Sequence, residues 1–193
     1  MAPMLRLFVF AFVALTVSMA HAAPKKKYHF VLADVTAKPE VKADEAKSAT
    51  PRVEATVKKT FETHPQLVAK LDGAPDPIAK PDAYRKLLTK KGIARAFLVT
   101  VEITEATLTI EPMESKPGTQ RLIVRIGVHL LGETIPGRTM GFTGDGQATI
   151  KLEVGKKIRD RDKEYAWDQA SEAAIADAMT TVFKQLAIPP KKQ

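Results

Sequence analysis

Residues 140–154, MGFTGDGQATIKLEV, decide whether this chain closes on a ligand loop or on a sheet. Gly141, Gly144 and Gly146 surround Asp145 as they would in a loop that cradles a phosphate. Parity points elsewhere. The even positions are Met140, Phe142, Gly144, Gly146, Ala148, Ile150, Leu152 and Val154, all apolar or small. The odd positions from Thr143 onward are Asp145, Gln147, Thr149, Lys151 and Glu153, all polar. Period two kept through the glycines predicts a strand. A two-residue turn at Asp145 and Gly146 would put Phe142 with Thr149 and mix the faces. One long strand is the reading adopted; a hairpin with a three-residue loop over 144–146 also keeps the parity. As a strand, Gly144, Gly146 and Ala148 form a shallow groove on the core face, where glycine permits close backbone approach. A phosphate cradle would need a helix after the loop, and more strand follows.

The partner for that groove is the last element. From 163 to 186, Trp167, Ala170, Ala174, Ile175, Ala178, Met179, Val182, Phe183 and Leu186 fall on one helical face. Its small residues Ala170, Ala174 and Ala178 match the groove. Pro189 and Pro190 end it.

Upstream, Phe97, Val99, Val101 and Ile103 alternate with Leu98, Thr100, Glu102 and Thr104. After Glu105 the apolar phase slips by one, to Ala106, Leu108 and Ile110, which predicts a β-bulge. A turn at 115–119 leads to a strand carrying Leu122, Val124, Ile126, Val128 and Leu130. A loop at 132–137 precedes the glycine stretch.

The first half reads less regularly. Residues 23–27 form a flexible start, and Tyr28, Phe30 and Leu32 share one face of a strand over 28–35. Residues 36–50 hold almost nothing to bury and read as a mobile loop. Thr50 and Pro51 read as N-cap and first helical residue. The helix carries Val53, Val57 and Phe61 and ends near His64, before Pro65. A short strand over 66–71, a loop over 72–80 and a helix over 81–91 follow. That helix carries Tyr84, Leu87 and Leu88 and stops at Gly92.

The ends and composition bound the class. A charge at Arg6, the apolar run LFVFAFVALTV (7–17) and Ala20-His21-Ala22 read as a signal peptide over 1–22. The run is shorter than the ~20 residues of a spanning helix, so the exported chain is not membrane-spanning. Without cysteine it has no thiol catalysis, no disulfide and no atom to carry a lipid. Residues 23–193 suit a single domain. A net charge of +8 invites anionic neighbours, but the lysines are scattered without interleaved aromatics, which argues against nucleic acid.

No catalytic, cofactor-binding or metal-binding residues emerge. His29 and His129 fall on strands and His64 closes a helix, none with an acid at ligand spacing. Asp160, Asp162 and Glu164 alternate with Arg159, Arg161 and Lys163, which suits a capped, solvated helix start better than a cation. Ser48, Ser115 and Ser171 lack the setting of an activated nucleophile.

Three stretches, KGIARAFLVTVEI (91–103), GFTGDGQA (141–148) and ASEAAIADAMTTVFKQL (170–186), give the chain a family likeness. It resembles small envelope domains such as the activator lipoproteins of penicillin-binding proteins, CsgG and the N-terminal domain of TolB. The resemblance implies a non-enzymatic, partner-binding α+β domain with no catalytic residues to carry over. The expected fold is a curved, mainly antiparallel sheet of about five strands with three helices. The helices would pack on one face, the long C-terminal one among them. The expected role is protein–protein contact in the periplasm or outside the cell, with another envelope protein as partner. The alternative is binding of an anionic envelope polymer or lipid through lysines.

Overall fold

The computed structural model describes residues 26–188. The signal peptide expected over 1–22 lies outside the described residues. Seven elements follow in order: β1 (Lys27–Ala37), α1 (Ala43–Thr63), α2 (Pro81–Lys90), β2 (Ile93–Pro112), β3 (Thr119–Ile135), β4 (Met140–Gly155) and α3 (Asp160–Ala187). The sheet has four strands in the order β1-β2-β3-β4. β1 runs parallel to β2, while β2–β3 and β3–β4 are antiparallel. The sheet is therefore mixed. The expected fifth strand at 66–71 reduces to one bridge, Leu67 beside Tyr28, and the next carbonyl, of Val68, is taken by the His29 side chain instead of a β1 amide.

The glycine stretch is one strand. Gly144 and Gly146 are buried facing α3, and β4 pairs with β3 from Met140 to Gly155. A Cβ on Gly144 would lie 2.9 Å from the Ala178 carbonyl oxygen, and one on Gly146 would lie 2.5 Å from the Ala178 nitrogen. These are main-chain atoms of α3. Only glycine lets the helix backbone come this near, and Ala174 and Ala178 complete the fit from the other side. The bulge is also present, between Ile103 and Glu105 against Gly127.

Phe30 of β1 ties the layers together. Its ring meets Phe61 of α1 at 5.4 Å, Phe97 of β2 at 5.6 Å, Phe142 of β4 at 5.1 Å and Phe183 of α3 at 6.1 Å. Phe142 reaches this cluster over Gly132, its register partner on β3, where a Cβ would strike the ring. The Tyr28 hydroxyl donates to the Leu186 carbonyl at 3.1 Å, fixing β1 to the end of α3.

Both sheet edges carry interruptions. On β4, the Thr143 N–H is taken by Gln185 Oε1 and the Gln147 N–H by Asp177 Oδ2, each at 3.1 Å. On β1, Tyr28 bonds to Gln66 and Val68, the register slips between Leu32 and Asp34, and Asp34 Oδ1 takes the Val35 N–H at 2.8 Å.

Four readings need correction. Residues 36–50 are not a mobile loop: β1 continues to Ala37 and α1 begins at Ala43, with Pro51 inside the helix. Ala49 is fully buried, one turn before Val53, so core burial outweighs the hydrogen bond lost at Pro51. β3 runs on to Ile135 through the expected loop, and α3 starts at Asp160. Nor do the helices share one face. α1 and α3 cover Phe97, Val99, Val101 and Ile103, whereas Tyr84 and Leu88 of α2 pack with Ala96 and Ile135 on the opposite face.

Gly146→Val should force α3 off the sheet and cost about 1–3 kcal/mol through overpacking. For a chain of this size the melting temperature falls by about 2–4 °C per kcal/mol. Thermal denaturation followed by circular dichroism checks this, and an unchanged midpoint would mean that the groove does not seat the helix.

Candidate functional site

The second face of the sheet is built differently from the first. Beyond α2 it carries mostly polar side chains, but at the β1–β2 end it is apolar. Val31 and Leu98 are register neighbours there, and Ile135 lies opposite Ala96. The segment after α1 crosses the edge of β1 at Leu67 and swings over this end. The Val68 N–H donates to the Tyr28 carbonyl at 2.8 Å, and His29 Nδ1 donates to the Val68 carbonyl at 2.7 Å. Asp76 then organises the turn into α2, accepting the N–H groups of Ile78 at 2.7 Å and Ala79 at 2.9 Å. This is the Asx arrangement that short carboxylates favour in turns. Those two backbone N–H groups hold the Asp76 carboxyl below the usual carboxylate range.

Between the segment and the sheet lies a cleft of about 560 Å³. Val31, Leu71, Leu98, Ile135 and Pro136 supply apolar wall, and His29 and Tyr84 line it as well. His29 is 7% exposed and Tyr84 3%. Burial raises the Tyr84 hydroxyl above its ordinary pKa, so it is a neutral hydrogen-bonding group at physiological pH. At the mouth, Ile78 is 82% exposed and Val31 37%. Arg138, also at the mouth, has a left-handed backbone with φ 52° and pairs with Glu133 at 3.0 Å.

The residues weighed from sequence are dispersed. His29 enters the cleft, whereas His64 stacks on Phe183 at 4.3 Å. His129 does have an acid: its Nδ1 lies 2.7 Å from Asp145 Oδ1 on the polar sheet face. Sequence spacing hides the pair, since it depends on the β3–β4 register that sets His129 opposite Asp145. Glu102 lies opposite His129 on its other side. Asp162 caps α3, accepting the Arg159 N–H at 3.2 Å and its Nε at 3.0 Å, and the guanidinium holds its carboxyl low. Ser48 lies in α1, and Ser171 donates to the Trp167 carbonyl at 2.8 Å. Among the described residues no group of three or more His, Cys, Asp or Glu is placed to hold a metal ion. Tyr84, Val31, Leu98 and Ile135, which build the cleft, carry no motif; only period-two parity marks Val31 and Leu98 as facing away from the core.

No family model matches the chain, and no curated protein matches it. Its fold is similar to solved structures of bacterial lipoproteins. One is the rare lipoprotein B from Shewanella oneidensis, at 12% identity and a TM-score of 0.43, covering 83% of this chain and 99% of that one. Another is the minor lipoprotein from Acinetobacter baumannii, at 9% identity and 0.36, covering 81% and 95%. A third is lipoprotein B from Nitrosomonas europaea, at 9% identity and 0.37, covering 86% and 93%. These differ from the activator lipoproteins, CsgG and TolB domains that the sequence pattern resembles. Similarity at this level assigns no function. The present chain has no cysteine and so no thiol to bear a lipid. Among the described residues no helix is long and apolar enough to cross a membrane.

A group whose pKa is depressed by folding stabilises the fold above its unfolded value, about 3.9 for Asp. That contribution is lost as the pH falls through the lower, folded value. The amide proton resonances of Ile78 and Ala79 should therefore hold steady down to pH ~4 and move only below it. Asp76→Ala should abolish that titration and broaden the amides of 72–80. An NMR pH series checks both.

Proposed function

We propose that this chain is an exported, non-enzymatic protein of the bacterial envelope that acts by contact with another envelope protein. Its site of action is the periplasm or the cell exterior. The observation that carries this reading is the apolar cleft with Val31 and Ile78 exposed at its mouth. Exposed apolar side chains grouped at a concave site mark a binding surface. Partner binding is also what the resemblance to activator lipoproteins, CsgG and TolB implies.

Several lysines favour this reading over a polyanion-binding surface, because they are already paired. Lys58 meets Glu54 at 2.6 Å, Lys59 meets Glu172 at 3.0 Å and Lys116 meets Glu153 at 2.6 Å.

A photo-crosslinking residue placed at position 78 should capture one protein in living cells. The double variant Val31→Asp, Ile78→Asp should weaken binding of that protein at least about tenfold, the equivalent of ~1.4 kcal/mol, with its melting temperature unchanged. Binding of the purified pair should persist as salt rises. Loss of binding with salt, as screening of exposed charges predicts, would overturn the apolar contact in favour of an anionic ligand.

A further inference from the structure

Two polar groups lining the cleft have no partner. The Val68 carbonyl can only accept, so His29 must carry a proton on Nδ1 to bond it. In the neutral ring Nε2 is then an acceptor, and no described residue bonds it. The Tyr84 hydroxyl likewise has no hydrogen-bond partner among the described residues. Both residues are more than nine-tenths buried and both line the same cleft, yet neither Nε2 nor the hydroxyl oxygen is among the fully enclosed atoms that lack a partner, so each stays open to the cleft. A few polar groups open to an otherwise apolar cleft are what fixes the orientation of a small molecule within it.

We propose that the cleft is a binding site for a neutral, mainly apolar small molecule carrying one hydroxyl, which gives its proton to His29 Nε2 and accepts the proton of Tyr84. This goes beyond the protein contact proposed above and concerns what lies inside the cleft, whatever docks at its mouth. The volume of about 560 Å³ falls within the range of small-molecule sites. Walls from Val31, Leu98 and Ile135 suit an aromatic or alicyclic body. A hydroxyl is the smallest group that both donates and accepts. A carboxylate has no proton to give Nε2, and with Asp72 and Asp76 balanced by Lys70 and Arg138 around the cleft the lining carries no net charge to hold an ion. A plain hydrocarbon, an acyl tail included, would displace water from both groups and offer neither a hydrogen bond in return.

The probes are 4-ethylphenol and ethylbenzene, titrated into the ¹⁵N-labelled full chain. Saturable shifts for 4-ethylphenol should centre on the amides of His29, Val31, Leu98 and Ile135, with ethylbenzene at least about tenfold weaker, since a site built for a hydroxyl rejects the analogue lacking it. Tyr84→Phe keeps the ring and removes only an unbonded hydroxyl, so the fold should hold. It should weaken 4-ethylphenol by about tenfold, one hydrogen bond's worth, and leave ethylbenzene unchanged. Leu98→Trp, which fills the cleft, should abolish binding of both. Equal affinity for the two probes, no saturable binding, or shifts centred elsewhere would each overturn the proposal. None of these results bears on crosslinking from position 78, so the two readings fail separately.

Discussion

The structure depends on how closely α3 approaches β4. Helix and strand meet with main-chain atoms of Ala174 and Ala178 filling the space where side chains at Gly144 and Gly146 would stand. A contact between backbones brings the whole helix down onto the sheet. Val182, Ile175 and Leu186 are buried with it, and Phe183 comes within reach of Phe30. A side chain at either glycine would lift the helix and loosen contacts along its length. The protein has no disulfide to compensate, so cohesion rests on such burial.

Gly132 serves the same logic inside the sheet. A missing side chain on β3 makes room for Phe142 of β4 to lie across it and join Phe97 and Phe30. One aromatic cluster thereby links β1, β2, β4 and both long helices. Packing is concentrated on that face. Among the described residues the opposite face receives only the ten-residue α2 and the segment leading into it, which cover one end. The cleft is the space left between this partial cover and the strands. It can stay open because the fold's cohesion is secured on the other side.

How much of this could be read from the residues depended on whether the signal was local. Parity through the glycines marked β4, the phase slip after Glu105 marked the bulge, and the alanine-bearing stripe marked α3. Each of these lies within one element. Pairing between distant segments left no such trace. Parallel pairing of β1 with β2 joins residues more than sixty positions apart, as Phe30 with Phe97, and nothing in either segment announces it. Pro51 misplaced the start of α1 because its local preference is for a first turn, while the burial of Ala49 is a tertiary fact. The cleft was hidden for the same reason. His29, Tyr84, Leu98 and Ile135 are unremarkable in sequence and meet only once register and crossing are fixed. The His129–Asp145 pair likewise exists through register alone.

The interruptions along the sheet edges bear on how this protein can meet others. On β4, Asp177 and Gln185 occupy main-chain donors that an incoming strand would use. On β1, a register slip and the Asp34 carboxylate break the run. A sheet guarded in this way resists strand-by-strand addition, the route by which exposed edges recruit copies of themselves or extended peptides. Recognition then falls to side chains. Two arms of polypeptide zipped together by amides would read length and extension, whereas contact through side chains would read shape and polarity. The same guarding favours a chain that stays dispersed at high local concentration, since neither edge offers a template on which further copies could stack.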